Sequence, residues 1–238
     1  MNSSKSTREQ YIKKLLQNYR IISVLSDKND CKTLRIRHKH LNRDLVLHSF
    51  PQIVTAYEIL CSIKAENLPE IYDVVTLSDG QIVLEEFISG ITVADVMKSG
   101  NYKYRGAKRV LTSVCNALNV LHQKNIVHRD IKPENIIISD EGRVVLIDLN
   151  ISRIASANTR DTVIMGTVGY ASPEQLGVTS SDARTDIYAM GILLNVMLTG
   201  KHPSETLARG RSGKIVKKCT SVNPLDRYQS AQKLAEAL

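Results

Sequence analysis

Residues 128–135 read His-Arg-Asp-Ile-Lys-Pro-Glu-Asn, and any fold proposed for the chain has to serve this octapeptide. Within eight positions it holds a carboxylate base at Asp130, a cation at Lys132 and an amide able to bind a metal at Asn135. Further along, Asp148-Leu149-Asn150 follows the apolar run Val144 to Ile147, which sets a second oxygen ligand at the end of a short strand.

With 238 residues, 42% of them hydrophobic, the chain can bury a core as one domain or two closely packed lobes. Its formal charge of +8 and pI near 9.3 suit an acidic partner such as a nucleotide, an acidic protein or a membrane surface. The basic residues are scattered and not interleaved with aromatics, so no nucleic-acid binding is expected. Cys31, Cys61, Cys115 and Cys219 are far apart, which argues against zinc and against a disulfide framework and fits a reducing cytoplasm. Met1 to Gln10 has no apolar core of a signal peptide, and Ile187 to Leu198 is shorter than the roughly 20 residues of a membrane span. A soluble, uncleaved chain is expected.

Tyr19 to Leu25, Leu34 to His38 and Leu45 to Phe50 are short β-branched or aliphatic runs separated by polar turns, as in a small antiparallel sheet. Ile53 to Ile63 carries apolar residues at a helical period. Ile71 to Thr76 and Gln81 to Phe87 flank an Asp79-Gly80 hairpin signal. After Gly90 the pattern turns helical: Val110, Leu111, Val114, Ala117, Leu118 and Leu121 fall on one stripe that ends just before His128. Asp186 to Leu198 is apolar nearly all round, as in a helix buried at the centre of a lobe, and Gly200 is placed to stop it. Sheet first and helices after predict a bilobal α+β architecture with a cleft near Glu86 to Gly90. The expected division is an N-terminal extension over 1–18, a small β-rich lobe over 19–88 and a larger helical lobe over 89–238.

The octapeptide, Gly166-Thr167-Val168-Gly169-Tyr170, Ser172-Pro173-Glu174, Asp186 to Gly191 and Arg227 occur in the order and spacing of one family. Over roughly residues 19–238 the chain resembles the eukaryotic-like Ser/Thr protein kinases, most closely the compact bacterial members. The resemblance implies phosphoryl transfer from ATP with Mg²⁺ to a protein substrate, with Asp130 as catalytic base and Asn135 and Asp148 as metal ligands. It implies that Lys132 contacts the transferred phosphoryl group and points to Ser or Thr as acceptor. Arg129 would receive an activation-segment phosphate, for which Thr159 and Thr162 are the candidates, while Thr167 bonds the catalytic loop. Glu174 is expected to pair with Arg227, and Asp186 to hold the backbone of the catalytic loop. By a gap-free match Glu85 takes the gatekeeper place, a slip of one residue giving Leu84 instead. The backbone of Glu86 and Ile88 then meets adenine, and Ile137 forms the floor of the base pocket.

Against this pattern, the segment Ser26 to Lys32 replaces the glycine-rich loop without a glycine, and Asp27 and Asp30 are unfavourable beside a triphosphate. His48 stands where the phosphate-binding lysine belongs, Val46 narrows the adenine site, and Ala56 replaces the lysine's carboxylate partner, with Glu58 two residues away. Lys32 is a candidate substitute cation, as in with-no-lysine kinases. Asn150 replaces the glycine of Asp-Phe-Gly, as the residue next most tolerant of positive φ. Three functions remain open: an active Ser/Thr protein kinase with an unusual small lobe, a pseudokinase that senses nucleotide or scaffolds a protein partner, or a kinase acting on a small molecule, a reading the activation-segment motifs weaken. Tyr11, Ile12, Leu15 and Leu16 suggest a short helix, either docking to a partner or packed on its own lobe.

Overall fold

Ser6 caps a first helix, α1 (Thr7–Leu15), by accepting the Glu9 N–H, and one side of that helix is apolar. The computed structural model describes residues 6–155, 167, 169–176 and 180–238. After α1 come β1 (Tyr19–Lys28), β2 (Cys31–His38), β3 (Asp44–Phe50), α2 (Thr55–Leu60), β4 (Ile71–Leu77) and β5 (Gly80–Glu86). The five strands form one antiparallel sheet in the order β1-β2-β3-β5-β4.

Strand alternation gives this sheet two different faces. Leu34, Ile36, Leu45, Leu47, Ile82 and Leu84 make one, and Tyr11, Ile12 and Leu15 of α1 cover it. The first helix therefore packs on its own sheet. The other face carries Val46, His48 and Phe50, with the His48 ring stacked on Phe50 at 5.4 Å between centroids and Phe50 stacked on Tyr57 of α2 at 5.6 Å. On the same face Asp44 binds Arg35 (Nε, 2.7 Å) and Arg37 (Nη2, 2.9 Å). The Arg37 and Arg35 hydrogen bonds hold the Asp44 carboxyl down to about 2 against the opposing effect of burial. The helix read over Ile53 to Ile63 is only six residues long, because Val54 offers no side-chain cap and the chain turns at Cys61.

The second unit contains β6 (Gly90–Thr92), α3 (Val93–Lys98), α4 (Tyr104–Gln123), β7 (Ile126–Val127), β8 (Ile136–Ser139), β9 (Val144–Leu146), β10 (Arg153–Ile154), α5 (Ala183–Thr199), α6 (Gly210–Cys219) and α7 (Ala231–Ala237). The apolar stripe of α4 is buried along its length, as are Ile187, Met190, Leu193, Leu194 and Met197 of α5. An Asp182/Thr185 capping box opens α5, and Gly200 closes it at φ 71°, a left-handed position that glycine occupies without a Cβ penalty.

The chain thus has an α+β fold, a β-rich unit followed by a helical one. One unit runs up to Lys64 and takes in Pro69–Ile88, the other Ala65–Leu68 and Ser89–Leu238. This departs from the expected 1–18, 19–88 and 89–238 in two segments. α1 belongs to the sheet it covers, and residues 65–68 belong to the helical unit because Asn67 donates from Nδ2 to Val144 O (2.8 Å) and accepts the Leu146 N–H (2.9 Å). Among the described residues no helix is long and apolar enough to cross a membrane.

Candidate active site

The loop of residues 128–135 is built on a buried carboxylate. Asp186, in the first turn of α5 and fully shielded from solvent, accepts the backbone N–H of His128 (2.9 Å) and Arg129 (2.8 Å). His122 of α4 joins it through Nε2 at 2.8 Å. Burial pushes the Asp186 carboxyl upward, yet His122, His128 and the backbone donors outweigh it and keep its affinity for a proton low. His128 accepts the Asp130 N–H on Nδ1 (3.3 Å), which leaves Nε2–H to donate to Ile147 O (3.2 Å). Arg129, with φ 70°, sits in a left-handed turn, and its carbonyl accepts from Gln175 Nε2 (2.9 Å). The octapeptide is a loop whose backbone is fixed at several points from beneath.

Its side chains converge on one carboxylate. Lys132 Nζ and Asn135 Nδ2 donate to Asp130 Oδ2 at 2.7 and 2.9 Å, and Thr167 Oγ1 donates to Oδ1 at 2.6 Å. Lys132 also reaches Thr167 Oγ1 at 2.9 Å. Burial opposes charge at Asp130, but these donors prevail and hold its carboxyl below the usual range, so it is ionised at neutral pH. The second acidic residue, Asp148, takes φ 71° and accepts the Asn150 N–H on Oδ1 (3.1 Å). The positive φ expected at Asn150 occurs at Asp148, where the short acidic side chain tolerates it. Ile147 N–H donates to Asn135 O (2.9 Å), linking the segments that carry the two metal-ligand candidates.

Asn135 donates to Asp130 through Nδ2, and Asp148 accepts the Asn150 N–H on Oδ1, so the amide oxygen of the one and the carboxylate of the other are the hard oxygen donors of the site. That donor set fits Mg²⁺, which is typically held by one or two carboxylates together with substrate phosphates. Among the described residues there is no group of three or more His, Cys, Asp or Glu that could hold a metal ion. Ile137 lies in β8 between Thr92 and Val145. Glu174 and Arg227 form a buried two-point ion pair at 2.6 and 2.9 Å. Thr159, Thr162, Gly166 and Val168 lie outside the described residues.

In the sheet unit the register decides several assignments. Val46 pairs with Glu85, and Leu47 with Leu84, so Glu85 points to the His48 face and Leu84 to the α1 face. His48 Nε2 meets Glu85 Oε1 at 2.9 Å, and Thr33 Oγ1 meets His48 Nδ1 at 3.1 Å. Both ring nitrogens are thereby engaged in a site where His48 is 5% and Glu85 6% exposed. Sequence reading found His48 but not its partner, which lies 37 residues away and is identified only by strand pairing. Ala56 is buried in α2, while Glu58 accepts from Thr76 Oγ1 (2.8 Å) and Gln81 Nε2 (3.3 Å).

Lys32 pairs in register with Ser49 and therefore lies on the face opposite His48, bridged to Asp27 at 3.2 Å. At the end of β5, Glu86 N–H donates to Glu70 O (2.8 Å) and its carboxylate accepts the Glu70 N–H (3.2 Å). Val46 and Ile88 are both buried.

The protein kinase domain family matches residues 20–236. A probable serine/threonine-protein kinase of Clostridium perfringens is 28% identical over 84% of this chain and 32% of its own length. The serine/threonine-protein kinase PknB of Mycolicibacterium smegmatis is 35% identical over 71% of this chain and 26% of its own. PknB of Mycobacterium tuberculosis is 39% identical over 51% of this chain and 20% of its own. The chain thus spans a third or less of the length of these curated relatives.

Proposed function

Because the chain belongs to the protein kinase family, we propose that it transfers the γ-phosphoryl group of Mg·ATP to a Ser or Thr hydroxyl of a protein substrate. The observation that carries this reading is the set of three donors on Asp130. Such a carboxylate is oriented and ionised, ready to accept the hydroxyl proton as the acceptor oxygen bonds to phosphorus and the bond to ADP breaks. Lys132, held beside it, is proposed to follow the transferred group. Asn135 and Asp148 are proposed to hold Mg²⁺, which when bound neutralises charge on the phosphate oxygens. Val46, the backbone of Glu86 and Ile88, and Ile137 are the proposed adenine contacts.

The test is intact-protein mass spectrometry after incubation with ATP, with and without Mg²⁺, followed by mapping of the modified residues. Phosphate increments on Ser or Thr that disappear with chelator support the proposal. Increments on Tyr alone, or increments indifferent to Mg²⁺, contradict it.

One observation favours a second reading, a pseudokinase that binds nucleotide weakly and acts through a protein partner. His48 is buried with both nitrogens committed to Glu85 and Thr33, so it has no ring N–H left for a phosphate. Lys32 points to the other face. Substitution separates the contributions. His48→Lys alone is expected to leave Mg·ATP affinity unchanged, because Glu85 captures the new ammonium. His48→Lys with Glu85→Met is expected to tighten it about tenfold, as one charge-assisted phosphate contact is gained. Equal affinity in the single and double variants, measured by calorimetry, would locate the weakness elsewhere in the unit.

A further inference from the structure

Arg8 is 7% exposed, an unusual burial for an arginine so close to the start of a chain. Its Nε donates to Asp79 O (2.8 Å), and Nη1 donates to Ser49 Oγ (3.1 Å) and Asp30 O (3.3 Å). Nη2 forms an ion pair with Asp30 Oδ2 (2.6 Å), and the Arg8 backbone N–H donates to the Asp79 carboxylate (3.2 Å). Gly80 leaves the room for this: at φ 140°, a Cβ there would press on Arg8 Cδ and Nε at 3.0 Å. One side chain of α1 thus ties the β4–β5 turn, β3 and the β1–β2 turn together.

The β1–β2 turn occupies the place of the family's glycine-rich loop. Asn29 and Asp30 both have positive φ, 52° and 61°, between Lys28 and Cys31, which are paired across the strands. This is a two-residue turn of the kind that twists with its strands, made from Asn and Asp where the family uses glycine. The hairpin's two acidic residues, Asp27 in β1 and Asp30 in the turn, are the ones unfavourable to a triphosphate, and each is paired with a cation. Asp27 is paired with Lys32 and Asp30 with Arg8. Ser49 and Lys32, which mark where these pairs lie, belong to the sheet face opposite His48.

We propose that Arg8 is a positioning residue for nucleotide binding: it neutralises Asp30, holds its carboxylate on the α1 side of the sheet and thereby fixes the hairpin that covers the phosphates. The inference rests on the phosphotransferase reading above, and it makes α1 part of the nucleotide-binding apparatus. Lost without Arg8 are the order of the hairpin and the charge balance at its tip. Asp30 has a side chain 72% exposed, so the released charge is partly screened and the effect is several-fold.

The experiment measures Mg·ATP affinity of the full chain for wild type, Arg8→Ala, Asp30→Asn and the double variant. Asn is chosen because it keeps the left-handed turn. Arg8→Ala is expected to weaken binding about fivefold, less at high salt, with kcat nearly unchanged. Adding Asp30→Asn is expected to restore the part of the loss that the released charge causes, which damage to the α1 packing alone could not do. Should Arg8→Ala fail to fold, Arg8→Gln keeps an amide donor and the apolar stem while removing the charge. Affinity in the arginine variant equal to wild type overturns the inference, as does a double variant as weak as the single one. Wild type that binds no Mg·ATP overturns the phosphotransferase reading and this inference together, and that result needs no variant.

Discussion

Asp130→Asn is expected to lower phosphoryl transfer by about 10²–10⁴-fold while nucleotide affinity stays near that of wild type. The geometry makes the substitution clean. The Asn carboxamide can turn its oxygen to Lys132 and Asn135 and its NH₂ to Thr167, whose hydroxyl can accept as well as donate. The loop therefore keeps its shape and loses only the carboxylate proposed to take the proton. Single-turnover phosphorylation of a Ser/Thr peptide, beside calorimetric titration with Mg·ATP, separates the two effects. Because the wild-type carboxyl is held below the usual range, wild-type activity should persist from neutral to mildly acidic pH and fall only as Asp130 itself protonates. Undiminished transfer by the Asn variant would mean a contaminating kinase or a mechanism without this base.

The largest loss of stability is expected from Arg227→Ala. Arg227 has no exposed side-chain surface, and its guanidinium binds both oxygens of Glu174 as well as Ser221 O, Val222 O and Arg184 O. Tyr188 lies under it at 5.0 Å. Removing the arginine leaves the Glu174 carboxylate in the core with, among the described residues, only Thr185 as a side-chain donor. A broken buried pair of this kind costs about 3–5 kcal/mol, which for a domain of this size lowers the melting temperature by about 10 °C. Burial pushes the Glu174 carboxyl upward, but Arg227 wins and lowers it. Its stabilising contribution is therefore full above the ordinary Glu range and is lost as pH falls through the lowered value. Calorimetry at neutral pH gives the test, and a shift under about 2 °C would mean that the pair is energetically neutral. Substituting Glu174→Gln along with Arg227→Ala should recover part of the loss, since no charge is then stranded.

The elements that sequence reading located best were those with a local pattern: the alternating strands of the sheet, the stripe of α4 and the all-apolar α5. The cluster of Asp130, Lys132 and Asn135 was legible for the same reason, since the three lie within one stretch of eight adjacent residues. What escaped depends on pairings distant in sequence. Glu85 is a partner of His48 only because β3 and β5 are neighbours in one register. Arg8 lies in a polar stretch that resembles any solvated terminus, and nothing local tells it from Lys13 or Lys14, which are not buried. The β1–β2 turn has no glycine to mark it, yet Asn29-Asp30 adopts the positive φ that glycine would supply. The positive φ at Asp148 instead of Asn150 has no sequence signal, because either residue tolerates it.

The four cysteines differ enough in their surroundings to act as built-in reporters. Cys115 and Cys219 are buried in the helical unit, where desolvation pushes the Cys115 thiol up to about 12 and the Cys219 thiol upward as well. Neither offers a reactive thiolate to an alkylating reagent. Cys61 is exposed just after α2, and Cys31, half-buried, directly follows Asp30 at the hairpin tip. Pulsed alkylation of the unaltered chain therefore samples two sites in the sheet unit. The Cys61 rate serves as the internal clock, and the Cys31 rate records how often the hairpin lifts, without any introduced label.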